Sequence, residues 1–140
     1  MNAYIKDILS QGAALQLLAE KITGTELAQL KTRLEAGEFD RIVISGMGAS
    51  FSAAYPAYLQ LAKSLSIPVL LINAAELVNY LPSALGKRTL LWLNSQSGRS
   101  AELLHLLDVL KENPVANLLV CVNDPESPLA LAADECLLIH

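Results

Sequence analysis

One hundred and forty residues, 53% of them apolar and 17% charged, make a chain of one ordinary domain with a substantial core and exclude intrinsic disorder. A formal net charge of −4, with no basic cluster longer than Lys87-Arg88, excludes a counterion-releasing nucleic-acid surface. The mean hydropathy of +0.39 comes without any run near the roughly 18 apolar residues of a bilayer span, so it points to a sheet buried on both faces rather than to a membrane.

From Ala3 to Glu20, apolar residues recur at Ile5, Ile8, Leu9, Leu15, Leu18 and Ala19, a 3.6-residue period that predicts a helix despite Gly12. Thr23-Gly24-Thr25 punctuates it, and Glu26 to Ala36 continues the helical spacing through Leu27, Leu30 and Leu34 until Gly37. The seam at Gly37 to Asp40 divides an N-terminal helical segment, 1–38, from a domain over 39–140.

Five short apolar or β-branched runs follow: Arg41 to Ser45, Val69 to Ile72, Thr89 to Leu93, Asn117 to Val122 and Glu135 to Ile139. Helical stretches near Ser50 to Leu65, Ala75 to Tyr80, Ser100 to Lys111 and Pro128 to Ala132 lie between them. The repeating unit is therefore βαβ, and right-handed crossovers predict a three-layer, doubly wound α/β fold with a five-stranded parallel sheet, whose order is taken as the flavodoxin-like 2-1-3-4-5. His140 directly follows the fifth strand with no helix to cover it, so the chain is expected to be a piece of a longer protein.

Cys121 and Cys136 lie in strands four and five without a Cys-x-x-Cys spacing, and only His105 and His140 could join them as soft ligands. No metal site, disulfide framework or cofactor is expected, and both thiols are expected to be apolar fillers. Met1 leads into Asn2-Ala3-Tyr4-Ile5-Lys6-Asp7 with no basic start ahead of an apolar signal core, which predicts a cytoplasmic chain with reduced thiols.

Two loops carry the chemistry. The first strand runs into Ser45-Gly46-Met47-Gly48-Ala49-Ser50-Phe51-Ser52 and a helix, where glycines let backbone approach a ligand and the helix start offers unpaired N–H groups to an anion. A dinucleotide fingerprint would need a third glycine where Phe51 stands, and a nucleophile elbow would need one where Ser52 stands. The third strand runs into Asn94-Ser95-Gln96-Ser97-Gly98-Arg99-Ser100, which concentrates hydroxyls and an amide at another helix start and can surround a phosphate's oxygens without a buried cation. Capping alone would explain Ser97 or Ser100. In the order 2-1-3-4-5, however, strands one and three are neighbours, and both loops converge on the crevice where such sheets bind ligands.

At Gly46-Met47-Gly48-Ala49-Ser50 and Ser95-Gln96-Ser97-Gly98-Arg99-Ser100 the sequence resembles the SIS (sugar isomerase) domain family, over roughly Asp40 to His140. The resemblance implies phosphosugar binding, with Ser50 beside the phosphate, Ser95, Gln96, Ser97 and Ser100 as main donors, and Gly48 and Gly98 permitting close approach. Ser100 stands where the family usually has threonine, which keeps the hydroxyl, and Arg99 where aminotransferases commonly have glutamate. The family's catalytic glutamate, histidine and lysine come largely from segments beyond a fifth strand or from a second SIS domain, so no catalytic residue is expected here.

The chain alone is accordingly expected to bind a hexose 6-phosphate or related sugar phosphate without turning it over, as the first half of an isomerase or aminotransferase-like protein. His105 shares a polar helix stripe with Glu102, Asp108 and Glu112 and is expected at the surface. Glu76 is explained as a helix-starting carboxylate, while Arg99 is left between a phosphate, a sugar hydroxyl and solvent. The partner is expected to be a second copy or a second SIS domain, met through the leading helices. Alternatives are the effector-binding half of a sugar-phosphate-responsive transcription regulator, whose basic helix-turn-helix would lie outside this chain, and a flavodoxin-like mononucleotide binder, which the 5% aromatic content disfavours.

Overall fold

Continuous apolar runs in the middle of the chain leave those strands no solvent face, so layers of helix must cover both sides of the sheet. The computed structural model describes residues 2–21, 24 and 27–139. Thr23 and Thr25 of the predicted interhelical break, Glu26 at the start of the second predicted helix, and His140 lie outside them. Two helices, α1 (Ala3–Lys21) and α2 (Ala28–Glu35), precede β1 (Arg41–Gly46). Then come α3 (Gly48–Ala53), α4 (Tyr55–Ser64), β2 (Val69–Asn73), α5 (Ala74–Asn79), a 3-10 turn (Pro82–Ala84) and β3 (Thr89–Asn94). The described chain closes with α6 (Ala101–Glu112), β4 (Asn117–Val122), α7 (Pro128–Ala132) and β5 (Glu135–Leu138).

All five strands are parallel, in the order β2-β1-β3-β4-β5. Strand alternation sorts the core in two. On one face Val43, Leu91, Leu93, Val120 and Val122 pack against Leu77 of α5, Leu103 and Leu106 of α6 and Leu129 of α7. On the other, Ile42, Ile44, Leu90 and Leu119 pack against Leu30 of α2 and Ala54, with Tyr58 and Leu61 of α4 beside them. Interior strand β4 is buried at every residue, whereas edge strand β5 alternates between half-buried and exposed.

Two expectations need correction. The helix predicted from Ser50 to Leu65 is two helices, α3 and α4, joined at Ala54. Pro56 is the cause: it has no N–H for the Ser52 carbonyl and sits in the first turn of α4, where that loss costs nothing. Cys136, expected to be a buried filler, is exposed. It pairs with Val120 in the register, so its side chain lies on the α5–α7 face, out at the sheet edge. Cys121 is buried, and desolvation pushes its thiol up to about 11.

Helix α1 stands apart from this packing. Its apolar side chains Tyr4, Ile5, Ile8, Leu9, Leu15 and Leu17 are exposed, from 46% at Ile8 to 70% at Tyr4. No helix is long and apolar enough to cross a membrane among the described residues.

Candidate phosphate-binding site

The two hydroxyl-bearing loops leave adjacent strands at the same level of the sheet. Gly46 is the register partner of Asn94, so the loops begin side by side at the carboxyl ends of β1 and β3. The approach is tight: a Cβ on Gly46 would lie 2.9 Å from the Asn94 carbonyl oxygen and 3.2 Å from the Phe51 nitrogen. Gly46 is thus the residue that lets β3 and the α3 entry close on β1, a role its place in the motif did not reveal.

In the first loop, Ser50 and Phe51 donate their N–H groups to the Met47 carbonyl at 3.1 and 3.3 Å. Gly48 and Ala49, at the helix start, have no intrahelical acceptor for theirs. Gly48 has φ of +51° and open space where a side chain would be, so its glycine answers the backbone turn. Ser50 is half-buried and its hydroxyl makes no hydrogen bond among the described residues.

The second loop is folded by its own serines. Ser95 is 3% exposed and its Oγ accepts the Gly98 N–H at 3.1 Å. The Ser97 Oγ accepts the Arg99 N–H at 3.3 Å, a short-range turn of the kind serines favour. Gln96 and Ser97 are exposed and Ser100 is half-buried. Ser100 occupies the N-cap of α6, yet its side chain makes no capping bond. Capping therefore does not account for this hydroxyl, and the N–H groups of Ala101, Glu102 and Leu103 keep the free donors of an uncapped helix start. Ser45 Oγ and Asn94 Nδ2, at the two strand ends below, are buried without a partner among the described residues.

Residues 38–140 match the model of the SIS domain. The chain belongs to the SIS domain family. Along 139 residues it is 35% identical to an isomerizing glutamine–fructose-6-phosphate aminotransferase of Chlamydia pneumoniae, a match covering 97% of this chain and 23% of that protein. A Pyrococcus horikoshii relative of the same name is 29% identical, over 97% of this chain and 22% of its own length. The chain thus spans less than a quarter of each of these relatives. Among solved structures, the C-terminal domain of glucosamine-fructose-6-phosphate aminotransferase from Francisella tularensis superposes with a TM-score of 0.80 at 21% identity, over 97% of this chain and 39% of that one. A Listeria monocytogenes protein assigned as a sugar-phosphate isomerase gives 0.69 at 27% identity, over 96% and 72% of the two chains. Both share the fold.

Within this SIS domain the residues singled out by sequence fall into two groups. Ser50, Gln96, Ser97 and Ser100 are accessible donors on the two loops, whereas Ser95 and Gly98 are interior to the second loop. Gly98 has φ of +64°, and its missing Cβ would lie 2.2 Å from the Ser127 Oγ. Its close approach is therefore to protein. Arg99 is taken up by an ion pair, its Nη2 donating to Asp124 Oδ2 at 2.9 Å. That bond, with the Glu126 N–H on the other oxygen, holds the Asp124 carboxyl below its ordinary range.

Sequence reasoning missed the segment behind the SIS domain's second loop. Ser95 donates its N–H to the Cys121 carbonyl, and Asn123 donates its own to the Gln96 carbonyl, both at 3.0 Å. Asp124-Pro125 signals a turn and Ser127-Pro128 a helix start, but neither local signal says what the turn is packed against. His105 is exposed on α6, as read from its helix position, and Glu76, in the first turn of α5, is exposed as well. An apolar cleft of about 160 Å³ between α2, α4 and the sheet is lined by Leu30, Leu34, Leu61, Trp92 and Leu119 and holds no residue of either loop.

Proposed function

We propose that this SIS domain binds the phosphate end of a sugar phosphate, a hexose 6-phosphate or a related aldose or ketose phosphate. The observation that carries the reading is the register pairing of Gly46 with Asn94, which starts both donor loops side by side at one crevice. Gly48, Ser50, Ser95, Gln96, Ser97, Gly98 and Ser100 form the binding set. Accessible hydroxyls and backbone N–H groups are the donors, while Ser95 and Gly98 hold the loop in shape. The names of the matched relatives, which include fructose 6-phosphate, support the same ligand class. So does the assignment of the Listeria monocytogenes relative to sugar phosphates.

The chain binds without turnover. Isomerising a sugar phosphate needs a base at the carbon acid and an acid at the ring oxygen. Neither loop contains a histidine or a carboxylate, and His105 lies out on the exposed face of α6. In the whole protein the domain over 39–140, preceded by the helical segment 1–38, serves as one SIS unit of an isomerase or aminotransferase-like chain. Its match to less than a quarter of such relatives supports that place. The two free thiols fit a cytoplasmic setting.

Isothermal titration with fructose 6-phosphate and glucosamine 6-phosphate tests the reading. Heat of binding at millimolar ligand is expected, lost on Ser97→Ala with Ser100→Ala, while unphosphorylated fructose gives none. Because the second phosphate ionisation lies near pH 6, affinity falls as pH drops below it. Asp124, already held below its usual range, stays ionised through that window and adds no slope. A flat profile from pH 5 to 8, or binding untouched by the double substitution, sinks the assignment.

The exposed apolar residues of α1 are read as the contact with a second copy or a second SIS domain. For the homodimer, sedimentation should give a dimer that Leu9→Glu with Leu15→Glu converts to monomer; a wild-type monomer at high micromolar concentration refutes it.

A further inference from the structure

We propose that Asp124 is a positioning residue for the phosphate loop, acting through Arg99 and, with Ser127, seating the Gly98 turn from behind. The inference rests on the phosphosugar reading above. The loop from Ser95 to Ser100 is held at four places by the end of β4 and the segment that follows it. At its start the Ser95 N–H is bonded to the Cys121 carbonyl, and one residue on the Gln96 carbonyl receives the Asn123 N–H, each at 3.0 Å. At its middle Gly98 rests on Ser127, which is 0% exposed. At its end Arg99 reaches back to Asp124 at 2.9 Å.

The backing is itself fixed. Ser127 Oγ donates to the Asp124 carbonyl at 2.7 Å and accepts the Ala130 N–H at 3.3 Å, so its hydroxyl is spoken for on both sides. Asp124 spends one carboxylate oxygen on Arg99 and the other on the Glu126 N–H at 2.9 Å. The guanidinium is thereby drawn toward β4 and away from the β1 loop. Arg99 acts on the loop's shape, and the phosphate is met by dipoles alone.

A double-mutant cycle separates this from a direct phosphate contact by Arg99. Arg99→Ala and Asp124→Ala should each weaken fructose 6-phosphate binding about two- to fivefold, the range a half-exposed ion pair transmits. The double variant should lose no more than either single, and Arg99→Lys should recover most of the loss. Unfolding midpoints should stay near the wild-type value, so that the loss of affinity is read on folded protein. Tighter binding by Asp124→Ala, the mark of a guanidinium released onto the phosphate, overturns the proposal and leaves the phosphosugar reading intact, as does unchanged affinity. If the wild-type chain binds no sugar phosphate, that reading falls. Amide exchange across Gln96 to Ser100 then decides the positioning role: faster exchange in Asp124→Ala supports it, and equal exchange overturns it.

Discussion

Gly98→Ala is expected to destabilise the domain by about 2–5 kcal/mol, the combined cost of a side chain in the left-handed region and of an overfilled interior. The backbone sits at φ +64°, and the new methyl would meet Ser127 Oγ at 2.2 Å, Ser127 Cβ at 2.4 Å and Val122 Cγ1 at 3.3 Å. A serine at the tip of a mobile loop could turn away. Ser127 is wholly buried, caps α7 and donates to Asp124, so it yields only by giving up those bonds. The damage falls on the loop that presents the donors, and sugar-phosphate binding should vanish in protein that remains folded. Ser127→Gly added to Gly98→Ala removes the two closest contacts but neither the Val122 approach nor the backbone strain, and should restore part of the stability. Denaturant titration of wild type and the two variants measures this. A single variant within about 0.5 kcal/mol of wild type, the scatter of ordinary surface changes, would show that the turn is not seated as described.

The second large effect lies at the opposite end of the strands. Asn117 opens β4 and is 1% exposed; its amide oxygen accepts from Arg33 Nη1 and its amide nitrogen donates to Glu135. Arg33 also donates through Nε to Glu38 at 2.8 Å and lies over the Phe39 ring at 5.1 Å, so one buried amide joins α2 to β4 and β5. Asn117→Ala should cost about 2–3 kcal/mol, because two charge-assisted bonds go and two charged groups must find water instead. Sugar-phosphate affinity should be unchanged, since both donor loops leave the carboxyl ends of β1 and β3. A loss of affinity in folded Asn117→Ala would mean that the two ends of the sheet are coupled.

Much of the fold was legible in the chain. The strands announce themselves because β-branched and aliphatic runs such as Asn117 to Val122 are bounded by turn residues, and this one has the observed limits to the residue. The order 2-1-3-4-5 was expected as one that right-handed parallel crossovers permit, and it is the order observed. The division of α3 from α4 was not read, although Pro56 marks it, because the apolar spacing runs through the proline. The exposure of Cys136 was not read either, since a short apolar run does not say whether its strand is central or at the edge.

The site was legible where chemistry is local and illegible where it is not. Serines clustered at a helix start declare themselves within a few residues. Asp124 and Ser127 do not, because 25 residues separate Asp124 from Arg99 and nothing in either segment names the other. Gly46 sat in view inside its motif, but its reason, the Asn94 carbonyl at 2.9 Å, belongs to another strand.

With Arg99 paired to Asp124, neither donor loop keeps an unpaired side-chain cation, and the net charge of −4 opposes anions at a distance. Capture is then a matter of collision: an incoming metabolite gains no attraction until it is within reach of oriented dipoles, whose pull dies away within a few ångströms. Association is therefore expected to be slower than at a cation-lined site, and to gain from added salt as the net negative charge is screened.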